Sequence, residues 1–304
     1  MPKPAAQSLL HRFSTELAEL TAHVLRATVA VAGATEEGGN SGSGFFIDRR
    51  GHILTNHHVI ADVTPPITIT LAGGAQALAG VVGGDKVADL ALLKLDGRWP
   101  HHLTLRRSAA RAGELCFAIG NPLGRYPETI TIGVVSGLSR TAIAGPGRPH
   151  YHLLQTDCDI HEGNSGGPLV DAQGRVIGVT TLLDSESPYI GLAIPVKTVN
   201  EVLPPLLTRG QVERASLGIS VARRSRVVDG NEVAGLEVVR LTRTRGQHLA
   251  TGDFILRIAR QPVPDAPALF ALLGGDRIGQ STIVEVLRGG KRIAVPVKPW
   301  RMVP

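Results

Sequence analysis

Between about residues 28 and 198 the apolar residues fall in short windows with a period of two, and glycines interrupt them at close intervals. "TVAVAG", "ITITL" and "ITIGVVSG" alternate or run apolar over strand lengths, and "GGNSGSG", "GGAQ", "GGDK" and "GNPLG" separate them. Successive side chains of a strand face opposite sides, so this pattern suits half-buried strands joined by tight turns. With 36 glycines and 20 prolines, long helices are disfavoured through this region and a mainly β barrel or sandwich is expected. The 304 residues suffice for two or three cores.

The pattern differs at both ends. Leu10, Phe13, Leu17, Leu20 and Val24 are spaced alternately three and four apart, which predicts one amphipathic helix over residues 5–24 within an N-terminal segment 1–26. Its stripe packs either on the chain's own first domain or on another subunit. "VKTVNEVLPPLLTRGQVERAS" (196–216) turns helical and then polar, and a domain boundary is placed there, with 201–213 as linker. Beyond it, "LEVVRL", "GDFILRIA", "STIVEVLRG" and "RIAVPV" are strand candidates and "DAPALFALLGG" a short helix, which together make a small α+β module.

Composition narrows the function classes. The net charge is +6, but aromatic residues make up only 4% and no helix-turn-helix, zinc finger or RNA-recognition motif is present, so no nucleic acid is expected as partner. No apolar run approaches the roughly 20 residues of a membrane-spanning helix. The first twenty residues lack the apolar stretch of a secretory signal. The chain as written therefore reads as cytoplasmic, or as periplasmic or otherwise extracytoplasmic if a leader has been removed. Cys116 and Cys158 are expected to be buried, reduced thiols. His101, His102, His150, His152 and His161 show no metal-ligand spacing, so no metal and no cofactor are expected.

The densest chemistry lies in "QTDCDIHEGNSGGPLVDAQGRVIGVTT" (155–181). A serine hydroxyl attacks only when a neighbouring base takes its proton, and glycines allow the backbone N–H groups to approach a developing oxyanion. Ser165 sits in such a setting. The same letters fit Gly-x-Ser-x-Gly, but the residues after Gly167 read as strand, turn, strand, whereas a nucleophile elbow needs a helix there. The base candidates come earlier, as His57 and His58 in "ILTNHHVI", and the acid candidates are Asp85 and Asp89 in "VVGGDKVADLALLKLD".

His, Asp, Ser is the chain order of chymotrypsin-type proteases. With "GNSGGPL", "AIGNPLG" (118–124) and "GLAIPV" (191–196), the chain resembles the HtrA (DegP/Deg) family of serine proteases over nearly all of residues 28–198, within a protease domain placed at 27–200. The resemblance implies a two-barrel chymotrypsin-like domain and an activity on unfolded or misfolded polypeptides. The family's Thr-Asn-x-His-Val falls on Thr55–Val59 and selects His58 as base; its Asp-Leu-Ala-Leu-Leu-Lys selects Asp89 as the group that orients it. Ser165 is then the nucleophile, and Gly163, Asn164 and Ser165 form the oxyanion hole. Asp159, six residues before the serine, is a candidate for the floor of the specificity pocket, where an acid selects Arg or Lys; the alternative is an aspartate facing water or a nearby cation, with the family's preference for small aliphatic residues.

Residues 214–301 resemble a PDZ domain. "ASLGISV" places Ser216, Leu217, Gly218 and Ile219 at the loop that captures a peptide carboxylate, although "RLTRTRGQHLATGD" is shorter than usual for that fold. Peptide C-termini are the implied partners there, and a homotrimer is the implied assembly. The competing reading is a largely latent, chaperone-like or peptide-binding protein.

Overall fold

The computed structural model describes residues 8–302 apart from 36–38, 121–128, 145–147, 162, 185–186, 229 and 244–247. The last four residues of "AIGNPLG" and residues 244–247 of "RLTRTRGQHLATGD" therefore lie outside the described residues. The chain divides into two compact units, 1–211 and 212–304.

The first unit opens with α1 (Leu9–Leu25), which starts where the Ser8 hydroxyl accepts a hydrogen bond from the His11 N–H. Val24 is fully buried, and Leu20 and Val24 lie over the turn at Gly174, but Leu9 and Leu10 are each 79% exposed. The apolar stripe thus packs on its own unit only at its C-terminal end.

Two closed six-stranded barrels come next, as the period-two pattern predicts. The first joins β1 (Thr28–Gly33), β2 (Asn40–Phe46), β3 (His52–Thr55), β4 (Ile67–Thr70), β5 (Gln76–Asp85) and β6 (Leu90–Lys94) in the order 1-2-3-6-5-4. In β4 "ITIT", both isoleucines are buried and both threonines half-buried, the alternation a half-buried strand requires. Val29, Val31, Phe46, Ile53, Ile69 and Leu93 fill this barrel, and Trp99 stacks on Phe46 at 4.9 Å.

The second barrel joins β7 (Leu115–Gly120), β8 (Thr129–Ala144), β9 (Arg148–Thr156), β10 (Pro168–Asp171), β11 (Val176–Asp184) and β12 (Ser187–Pro195) in the order 10-11-12-9-8-7. Its core holds Cys116 and Cys158 as free, buried thiols with sulfurs 3.7 Å apart, among Ala118, Val135, Leu169 and Ile177.

One boundary needs correction. A helix, α3 (Val196–Arg209), continues through Pro204 and Pro205, so most of the segment 201–213 read as linker is helix. Val199, Val202 and Leu206 are buried against the first unit, and that packing outweighs the backbone bonds the prolines cannot donate. The helix closes at Gly210, in the left-handed conformation usual for a helix end.

The second unit, considered alone, is a six-stranded antiparallel sheet. Its main path runs β14 (Ile219–Val228), β15 (Asn231–Leu241), β16 (Phe254–Ile258), β18 (Thr282–Arg288), β19 (Lys291–Val297), with β17 (Gln261–Pro262) paired to β16. A small pair, β13 (Ala215–Ser216) and β20 (Trp300–Arg301), closes its ends, and α4 (Ala266–Leu272) is capped by the Asp265 carboxylate.

Candidate active site

β3 ends at Thr55, and the short turn of helix α2 (His57–Ile60) comes after it, pointing adjacent side chains in different directions. His58 turns toward Asp89, its Nδ1 2.7 Å from Oδ2, and its own backbone N–H donates to Asp89 Oδ1 at 2.9 Å. His57 turns away and packs against the backbone of Gly84; burial holds it below the ordinary imidazole range, the pull of Asp89 notwithstanding. Of the two histidines, His58 is the one that faces Asp89.

The acids separate in the same way. Asp85 ends β5, and its carboxylate accepts from the Val87 N–H, as a turn residue does. Asp89 enters β6 with φ at 53°, a left-handed backbone that aspartate tolerates better than most residues. It is 5% exposed. Burial pushes its carboxyl up, but the His58 hydrogen bonds, the facing imidazole and the Thr181 hydroxyl outweigh that and hold it below the usual carboxylate range. Asn56, fully buried, donates to the Asp89 carbonyl at 2.9 Å and fixes the turn from below.

Two partners had no signal in the sequence. Thr181 on β11 donates its hydroxyl to Asp89 Oδ2 at 2.8 Å. Ser43 on β2 donates its hydroxyl to the Gly163 carbonyl at 2.6 Å and its N–H to the Ser165 carbonyl at 2.8 Å, so the first barrel grips the serine loop of the second.

That loop is a turn closed by the Asn164 N–H on the His161 carbonyl at 3.0 Å. Gly163, just before Asn164, has φ at 92°, a left-handed value that glycine adopts without strain. Gly166 also has positive φ, and a β-carbon there would lie 2.2 Å from the Ser43 carbonyl oxygen and 2.3 Å from Thr55 Oγ1. Asn164 is buried, and Thr180 Oγ1 donates to its carbonyl.

Ser165 donates its hydroxyl to the Thr181 carbonyl at 2.7 Å. A hydroxyl carries a single hydrogen, so in this state it is not donated to His58.

Asp159 is exposed and lies 3.0 Å from His161 Nε2, itself about half exposed. The Asp159 carboxylate faces water and the His161 imidazole. Its neighbour Ile160 is buried against Gly191. Among the described residues no group of three or more His, Cys, Asp or Glu is arranged to hold a metal ion.

Residues 42–179 match the family described as "Trypsin-like peptidase domain". The chain is 37% identical over 281 residues to "Protease Do-like 1, chloroplastic" of Arabidopsis thaliana, across 85% of this chain and 64% of that one. It is 34% identical over 276 residues to "Probable periplasmic serine endoprotease DegP-like" of Rickettsia conorii, across 84% and 53%. The solved structure titled "HtrA-type protease AlgW with tripeptide" superposes with a TM-score of 0.81 at 32% identity, across 94% of this chain and 97% of that one. The chain belongs to the HtrA family of serine proteases. It spans about half to two thirds of the length of the first curated relatives it matches. For an HtrA-family chain the two closed barrels are the expected protease fold, and no helix among the described residues is long and apolar enough to cross a membrane.

Proposed function

We propose that this chain is a serine endopeptidase in which His58, Asp89 and Ser165 act as base, orienting acid and nucleophile on unfolded polypeptides. The observation that carries the reading is the Asp89–His58 bond at 2.7 Å, with Asp89 buried and further held by Thr181. With Nδ1–H donated to Asp89, the tautomer leaves His58 Nε2 free to accept a proton. Once its hydroxyl leaves the Thr181 carbonyl, Ser165 Oγ attacks the scissile carbonyl while His58 takes its proton, and Asp89 stabilises the imidazolium. The N–H groups of Gly163 and Ser165, with Asn164 between them, would receive the oxyanion; one such donor is worth about 3 kcal/mol. His58 then protonates the leaving amine, and water hydrolyses the acyl-enzyme by the same route reversed.

The exposure of Asp159 supports a preference for small aliphatic residues before the scissile bond, because an acid that selects Arg or Lys has to lie in the pocket, away from water. Mass spectrometry of fragments from an unfolded substrate tests both points: fragments ending in small aliphatic residues and lost in Ser165→Ala are expected. Fragments ending in Arg or Lys would overturn the pocket reading, and Ser165-independent cleavage would overturn the mechanism.

We read the second unit as a PDZ-like domain that binds peptide C-termini at Ser216–Ile219. Exposed Leu9, Leu10 and Phe13 on α1 support a homotrimer built through the N-terminal segment, testable by sedimentation. Relatives named periplasmic and chloroplastic support an extracytoplasmic place of work, testable by cell fractionation. The serine hydroxyl resting on Thr181 favours a second reading, a latent state that bound peptides shift toward activity.

A further inference from the structure

The charge of this chain is unevenly placed. Residues 212–304 carry 15 Lys and Arg against 8 Asp and Glu, a net +7, which leaves −1 for residues 1–211. Part of that excess sits on β14, at one edge of its sheet, which among the described residues pairs only with β15.

β14 begins directly after the loop Ser216–Gly218. There Gly218, at φ 65°, has no room for a β-carbon, which would meet the stacked Trp300 and Arg243 side chains, and its N–H donates to the Ser216 hydroxyl at 3.0 Å. Four and five residues further along the strand come Arg223 and Arg224, both exposed. Arg226 is already matched by Glu237 and lies 5.9 Å from the Phe254 ring centre. Arg223 and Arg224 have no acidic partner among the described residues, and the exposed Arg240, opposite Ser220 on β15, has none either. Unpaired like charges along an open backbone edge repel one another until an anionic partner arrives.

We propose that the edge of β14 takes an acidic peptide, its C-terminal carboxylate at Ser216–Ile219 and its upstream Asp or Glu side chains facing Arg223 and Arg224. The proposal rests on the PDZ-like reading of this unit and adds the chemistry of its partner. A peptide anchored by its C-terminus at the start of β14 must run antiparallel to it. At about 3.3 Å per residue the arginines lie about 13–17 Å beyond Ile219, so the acids belong about four to six positions before the peptide's end. Adjacent strand residues face opposite sides, so each arginine meets a different ligand side chain. An extended peptide also satisfies the free N–H and C=O groups of the edge, which a nucleic acid cannot, and the chain offers few aromatic rings for bases to stack on.

The test is fluorescence anisotropy with the full-length Ser165→Ala chain and labelled peptides that share their C-terminal residues but carry Glu, Gln or Lys upstream. The Glu peptide should bind about fivefold tighter than the Gln peptide at low salt, with the gap closing as salt rises. In an R223E/R224E chain the order of Glu and Lys peptides should reverse while the Gln peptide binds as before, which also reports that the unit is folded. Amidation of the C-terminus should weaken all three. Equal affinity for Glu and Gln peptides would overturn this proposal and leave the groove reading intact. Binding of no peptide would overturn both. A Glu preference indifferent to amidation, with a DNA duplex competing equally, would show a general polyanion surface instead.

Discussion

Replacing Thr181 by valine removes one hydroxyl and little else: the side chains are nearly the same shape, and the Thr181 carbonyl that receives Ser165 is backbone. The lost bond is the 2.8 Å donation to Asp89 Oδ2, between a residue 1% exposed and one 5% exposed. Hydrogen bonds to charged groups are worth about 1.5–3 kcal/mol, and no water reaches the vacated position easily. Unfolding in urea should show a loss of about 2 kcal/mol at neutral pH. The sign of the pH dependence is set by Asp89. Its folded carboxyl is held below its unfolded value, so its contribution is present above the ordinary carboxylate range and lost as pH falls through the folded value. Losing a donor raises the folded value, so the acid limb of the stability curve should move to higher pH. On the proposed mechanism Asp89 stabilises the imidazolium formed in the transition state, so kcat/KM should fall about tenfold, mostly in kcat, a change of about 1.4 kcal/mol. Stopped assays on a quenched peptide would measure it. The bond works through Asp89, so adding Thr181→Val to Asp89→Asn should cost clearly less activity than it does alone. A variant within twofold of the parent in kcat, or losses that simply add, would refute this role for Thr181.

Three further outcomes are expected. His57→Ala should retain most hydrolytic activity, whereas His58→Ala should lose about three orders of magnitude or more in kcat; equal losses would sink the assignment. Gly166→Ala places a methyl into the Ser43 carbonyl and Thr55 hydroxyl, so activity should vanish and thermal melting should show a loss of about 3 kcal/mol or more, while Gly73→Ala, with open space around it, should cost only its φ strain of about 1–2 kcal/mol. Asp48 is pushed up by burial but held at about 2 by His52 and Arg50, so Asp48→Asn should cost about 2 kcal/mol above pH 4, with the difference fading as pH falls through 2.

The barrels were legible in the sequence because strand burial writes itself locally: β4 alternates residue by residue, and glycines mark the turns. The proposed triad could be assigned from the sequence only through motif resemblance, since the directions in which His57 and His58 point are set by the turn after β3. Thr181 and Ser43 left no trace. Their bonds to Asp89 and Gly163 span 92 and 120 residues, and no period or composition encodes a contact of that range. The same holds for Arg106, 7% exposed, which joins Asp171 at 3.3 Å over 65 residues. At α3 the difficulty is the opposite one: the local signal of Pro204–Pro205 is strong and points to a break, and tertiary burial of Val202 and Leu206 overrides it.

The central claim is that Ser165 is a nucleophile made reactive by His58. Incubation with a fluorophosphonate, followed by peptide mapping, tests it most directly, because only an activated serine is phosphonylated. A single adduct on Ser165, formed with the parent and His57→Ala but lost in His58→Ala, is the expected result. No adduct, even with a C-terminal peptide bound to the second unit, or labelling that survives in His58→Ala, would contradict it.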